Sequence, residues 1–193
     1  MGKEPTEVLV YSIGHSQHSL VNFADLLRPF GINLVVDVRS FPGSRFAQEF
    51  SREGLDRRLP QEGIRYAFLG DKLGGRPSKS AFYDGDGRVL YGRLAADSEF
   101  QAGVLDVEEW ASSYTVALMC SEGRPEGCHR HLLIEPVLAM RRVSMLHIRP
   151  QGGVYDMSEI APQPALFVDQ DEDSWKSTRS VSQGAARRTS SRP

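Results

Sequence analysis

The chain has 193 residues, 40% of them hydrophobic, and a formal net charge of -2. That length suits one globular domain with a real core, and the near-neutral balance gives no general case for a nucleic-acid or membrane partner. With two cysteines, and no charged start running into an apolar stretch long enough for a signal peptide or a membrane span, the chain reads as cytoplasmic.

The first predicted strand covers 8–13 and stops at Gly14, His15 and Ser16. Ser19 caps the next helix, in which Leu20, Phe23, Leu27 and Phe30 recur at helical spacing before Gly31 ends it. A β-branched run over 34–39, bounded by Pro42 and Gly43, makes a second buried strand. A short helix is expected over 51–59 and a third strand over 64–69. The stretch 70–87 is rich in Gly, Asp, Ser and Lys and too long for a simple connection, so it reads as a lid, a binding loop or a mobile segment. Helical patterning returns over 90–111, a fourth strand over 115–120, a helix over 128–141 and a fifth strand over 144–148. From Asp169 the composition turns polar, with five basic and four acidic side chains and few apolar ones. This gives an α/β body over 1–168 and a disordered Ser/Thr/Arg-rich tail over 169–193.

Strands separated by helices imply parallel neighbours joined by right-handed crossovers. The expected fold is α/β: a single open, mostly parallel five-stranded sheet flanked by helices, in Rossmann-like or flavodoxin-like layers. In such sheets ligands sit beyond the carboxyl ends of the strands. His15, Asp37 with Arg39, and Cys120 all fall at those ends.

Four segments carry a resemblance: Ser12 to Ser16, Asp37 to Pro42 with Ser44 soon after, Leu73 to Gly75, and Cys120 to Arg130. They resemble, in order, the signature segments of the prokaryotic family catalogued as domain of unknown function 488. The resemblance runs from about residue 11 to residue 148. It implies a compact α/β domain with clustered polar positions and attaches no activity.

Cys120 ends a strand and opens the loop leading to Cys128, His129 and Arg130. A thiolate needs its pKa lowered from about 8.5, which Arg, His and a helix start can achieve. Cys120 is therefore either a nucleophile or a buried cysteine closing a core strand. The seven residues between Cys120 and Cys128 would also allow a disulfide that closes the loop. His15 is a candidate general acid or base, or a turn cap. Glu122, beside Cys120, is a second acid–base candidate or a partner for Arg124 or Arg130. Ser16, Asp37, Arg39, Ser44, His129 and Arg130 are candidate substrate-binding residues. Asp37 and Arg39 share a strand face and can pair, or Arg39 can grip a phosphate or carboxylate. Arg130 is a substrate clamp or a loop brace.

The cysteine loop is also similar to those of rhodaneses and protein tyrosine phosphatases. The phosphatases place Arg six positions after Cys, whereas position 126 here is Glu and Arg124 comes early. Phosphatase chemistry is thus disfavoured, and sulfur transfer stands by analogy. Cys120, Cys128, His129 and His131 are suitable in type for a metal, with His15 to complete the set. The spacing is poor, with no close CxxC pair and two histidines off a shared helical face, so no metal ligands are assigned. Walker and dinucleotide fingerprints are absent, and no cofactor is expected.

Two classes of function follow. One is an enzyme with a cysteine nucleophile, a transferase or hydrolase, acting on an anionic small molecule, nucleotide or nucleic acid. The other is a noncatalytic nucleic-acid or ligand-binding module, or a metal-binding protein using Cys and His. Neither predicts a membrane partner or an oligomeric state.

Overall fold

The computed structural model describes residues 8–43, 48–155 and 173–181. Five strands, β1 Val8–Gly14, β2 Leu34–Asp37, β3 Arg65–Phe68, β4 Val116–Cys120 and β5 Val143–His147, form one sheet in the order β3-β2-β4-β1-β5. Every neighbouring pair is parallel. The sheet is therefore open, five-stranded and wholly parallel.

The helices follow from the crossover rule. The chain steps one way along the sheet from β1 through β2 to β3, then back to β4 and on to β5, so right-handed connections put the first two on one face and the rest on the other. Helices α1 (Leu20–Leu27) and α2 (Arg52–Arg58) accordingly pack with Ile13, Val35, Ala117 and Met119. On the opposite face α3 (Gly70–Leu73), α4 (Tyr91–Ala96), α5 (Ser98–Ala111) and α6 (Glu135–Met140) pack with Val10, Leu34, Val36, Val116 and Leu118. β2 and β4 are buried along their whole length, which is why they read as continuous apolar runs.

Local chemistry sets the boundaries. The Ser19 hydroxyl accepts from the Asn22 N–H at 3.3 Å and the Ser51 hydroxyl from the Gly54 N–H at 3.0 Å, each capping a helix start. The stretch 70–87 holds α3 and a 3-10 turn at Ser80–Phe82, with Leu73 fully buried, so much of it is built into the body. The segment expected as one helix over 128–141 instead opens with a π-helical turn, Arg130–Ile134, before α6. Pro136 has no N–H for the Leu132 carbonyl four residues back. That carbonyl accepts the indole N–H of Trp175 at 3.0 Å.

Trp175 belongs to the stretch whose composition suggests a disordered tail. Residues 173–181 nevertheless lie along the body: Ser177 N–H donates to the Val89 carbonyl at 2.8 Å, its hydroxyl accepts from Val89 N–H at 2.9 Å, and Lys176 pairs with Asp84 at 3.1 Å. One large indole offsets the polar average around it. The rest of the expected tail lies outside the described residues.

Candidate active site

The carboxyl ends of β1, β2 and β4 meet at one rim. Gly14 is the register partner of Cys120, and beyond it His15 N–H donates to the Cys120 carbonyl at 2.9 Å and Ser16 N–H to the Ser121 carbonyl at 3.0 Å. The ladder between these strands thus continues for two residues past β1, to His15 and Ser16, and one past β4, to Ser121. A cavity of about 320 Å³ opens there, its walls including His15, Arg39, Arg76, Tyr91, Cys120, Glu122 and His129.

Cys120 and Cys128 are both free thiols. Cys120 keeps 6% of its surface exposed and Cys128 none, so only the first faces the cavity. The two sulfurs and His129 Nδ1 lie within 4.8 Å of one another. His129 Nδ1 is 4.0 Å from the Cys120 sulfur and 3.8 Å from that of Cys128. Its Nε2 stands 3.0 Å from the Val38 carbonyl, which only accepts, so Nε2 carries a proton and Nδ1 is aimed at the sulfurs. The Cys120 thiol is held well below its ordinary pKa, first by a hydrogen bond from Cys128, against the upward push of burial, and then by His129 and Arg130. Burial and the Cys120 sulfur drive Cys128 the other way, well above the ordinary thiol value.

Arg130 lies behind the thiols, 1% exposed. Its Nε donates to the Cys128 sulfur at 3.2 Å, one terminal nitrogen to the Ser12 hydroxyl at 2.8 Å, and the other to the Glu122 carbonyl at 2.6 Å. From Ser12 a buried chain runs on: its hydroxyl meets His147 Nδ1 at 2.7 Å, His147 Nε2 meets Glu135 Oε2 at 3.0 Å, and His131 Nδ1 meets the same oxygen at 2.6 Å. Since Ser12 accepts from Arg130, its proton goes to Nδ1 of a neutral His147, whose Nε2–H then donates to Glu135. Desolvation lowers the His147 pKa and favours that neutral form. Burial pushes Glu135 up, but hydrogen bonds from His131 and His147 outweigh it and keep the carboxyl below its usual range.

His15 and Arg39 form the opposite wall. Arg39 makes a two-pronged contact with Asp37, at 2.8 and 2.6 Å, donates to the Phe50 carbonyl at 2.7 Å, and places its remaining terminal nitrogen 3.1 Å from His15 Nε2. His15 Nδ1 faces the Ser16 carbonyl at 3.1 Å, and the ring stacks on Phe50 with centroids 4.4 Å apart. The imidazole is therefore a neutral Nδ1–H tautomer. Burial first, then the Arg39 charge, lowers its pKa to about 4. With both nitrogens engaged, His15 is a fixed wall in this arrangement, and its lone pair is committed to Arg39.

Of the predicted site residues, His15, Arg39, Cys120, Glu122 and His129 line the cavity. Asp37 stands one layer back, fully buried, also receiving the Tyr66 hydroxyl at 3.0 Å. Arg130 stands behind the thiols as a brace for them and for the loop. Ser16 holds the loop through its backbone, with a left-handed φ of 47°, and its side chain is exposed outside the cavity walls. Ser44 lies outside the described residues. Sequence reasoning missed Tyr91 and the chain Ser12, His147, Glu135. His147 was within reach, because it ends β5 just as His15 follows β1. Tyr91 gave no signal beyond helical patterning.

A family model described as "Domain of unknown function DUF488" matches residues 19–137. No curated protein and no solved structure matches the chain.

Proposed function

Because the chain belongs to the DUF488 family, whose description names no reaction, we propose from the geometry that it is an enzyme in which Cys120 attacks an anionic, electrophilic substrate. The observation that carries this reading is the surroundings of Arg130. A buried guanidinium left without an anion costs several kcal/mol. Among the described residues Arg130 meets no carboxylate at ion-pair distance, and its contacts are a hydroxyl, a carbonyl and the Cys128 sulfur. A negative charge on the sulfur pair supplies the missing partner.

In this reading His129 Nδ1 takes the thiol proton and Cys120 acts from the cavity wall. Arg76, exposed at the rim, draws the anion in, while Glu122 at the same rim exchanges a proton with the leaving group. Arg39 and His15 shape the far wall. A cytoplasmic setting, which keeps thiols reduced, suits the chemistry.

The test is alkylation of the native protein across pH, with each cysteine followed by mass spectrometry. At pH 7 Cys120 should react about tenfold faster than free cysteine, allowing for the lower intrinsic nucleophilicity of an acidic thiol, and Arg130→Gln should remove that advantage. Reaction with the profile of free cysteine, or only after unfolding, would overturn the reading. A second reading is favoured by the Nδ1 of His129 facing both sulfurs with its Nε2–H fixed on the Val38 carbonyl, the kind of hydrogen bond that orients a metal-binding histidine. The outcome that selects it is protection of both thiols together with one equivalent of thiophilic metal in the same sample.

A further inference from the structure

The two thiols differ in a way that a lone nucleophile does not require. Cys120 borders the cavity, whereas Cys128 is fully buried and borders no part of it. An electrophile entering from the rim meets Cys120 alone. Cys128 then lies on the inner side, with its sulfur inside the same 4.8 Å cluster. Its position is fixed by the turn from its N–H to the Pro125 carbonyl at 2.9 Å, and its sulfur receives the Arg130 Nε–H.

We propose that Cys120 and Cys128 form a redox-active dithiol that exchanges with a small anionic disulfide, Cys128 expelling as an intramolecular disulfide the fragment that Cys120 captures. This rests on the thiolate reading of Cys120 and adds a second sulfur and a substrate class to it.

The electrons balance without any further oxidant. The Cys120 thiolate attacks one sulfur of the disulfide, the substrate S–S bond breaks, and one thiolate leaves through the rim, taking from His129 Nδ1 the proton that Cys120 gave it, so that Nδ1 is free again. Cys120 now carries the other half as a mixed disulfide whose outer sulfur points into the cavity. Cys128 gives its proton to His129 Nδ1, 3.8 Å away. Its sulfur, with Arg130 beside it to stabilise the charge that develops, attacks the Cys120 sulfur from the inner side. The bond to the fragment breaks, and a second thiolate leaves with the proton from His129. Two electrons have passed from the dithiol to the substrate, and an external dithiol restores the pair by the reverse exchange. Closing the pair brings the sulfurs to about 2 Å, a movement within a loop of seven residues.

The test uses dithiobis(nitrobenzoate), a dianionic aromatic disulfide that releases a coloured thiolate. Native full-length protein should release two thiolates per chain and retain none, its mass falling by two hydrogens. Cys128→Ser should release one and keep the other half bound to Cys120. Wild-type protein that releases one thiolate and keeps an adduct, or releases two and keeps two, overturns the dithiol while leaving the thiolate intact. Native protein that releases none overturns the thiolate reading and this inference together. The wild-type stoichiometry and mass decide between these outcomes even if the variant folds poorly.

Discussion

At the scale of single residues, the sharpest consequence concerns His15. Its imidazole is neutral in the fold, with a pKa of about 4 against an ordinary 6.5. Burial first, and then the Arg39 charge, oppose its protonation, while the Ser16 carbonyl, Cys120 and Asp37 favour it without overcoming them. Between these two values the unfolded chain binds a proton that the folded chain refuses, so stability rises with pH across that window and is lost as pH falls from 6.5 towards 4. The full difference is on the order of 3 kcal/mol. His15→Gln, which keeps an acceptor for Arg39, should flatten the acid limb of a urea-melt series from pH 7 to pH 4; an unchanged limb would refute this assignment. That His15, Arg39 and Cys120 meet at one rim was legible in the sequence, because all three fall at the carboxyl ends of parallel strands. The pair of Arg39 with Asp37 was within reach as two residues on one strand face, whereas its contacts with His15 and Phe50 were not, because those partners come from other elements and local sequence does not bring them together.

Elements meet closely around the cysteine loop, and glycine is what lets them. A Cβ on Gly14 would stand 1.8 Å from the Glu122 carbonyl oxygen, and one on Gly75 2.7 Å from the His129 ring. The first contact is to backbone, which has little room to yield. Gly14→Ala should therefore displace the loop, lower stability by about 1–3 kcal/mol and slow Cys120 alkylation at pH 7. A variant with wild-type stability and reactivity would show that the loop is not seated on β1. β2 and β4 were legible as apolar runs because they are buried along their whole length, whereas β3 and β5, at the sheet edges, are only partly covered. The helix over 128–141 was legible as helix and not as a π turn, since the wider turn accompanies Pro136 and a tryptophan far along the chain. The glycines at 74 and 75 suggested flexibility, whereas in the structure they permit contact, a distinction only a neighbour can make.

For the molecule as a whole, the two-faced sheet and its all-parallel order follow from alternation and crossover handedness, and both were within reach of the sequence. The strap at 173–181 was not, because composition averages over the one side chain that anchors it. Trp175 meets Tyr91 edge-on at 6.0 Å while donating to Leu132. Trp175→Ala should thus lose packing and strand a buried carbonyl, costing about 2–4 kcal/mol, as measured by denaturant titration. A loss below about 0.5 kcal/mol, the usual range for a surface change, would mean the strap contributes little to the fold.

The Leu132 carbonyl also bears on the order in which the protein assembles. Pro136 leaves that oxygen without its usual helical donor, and the donor that serves it lies 43 positions away, on a strap whose bond to Val89 spans 88. Contacts of such separation form late, after the nearby ones have repaid their entropy. The strand pairings are more distant still, Val8 meeting Val143 and Tyr11 meeting Ala117, so the helix that follows the cysteine loop reaches its final hydrogen bonding only together with the sheet, and the support of the thiol pocket is not assembled ahead of the fold as a whole.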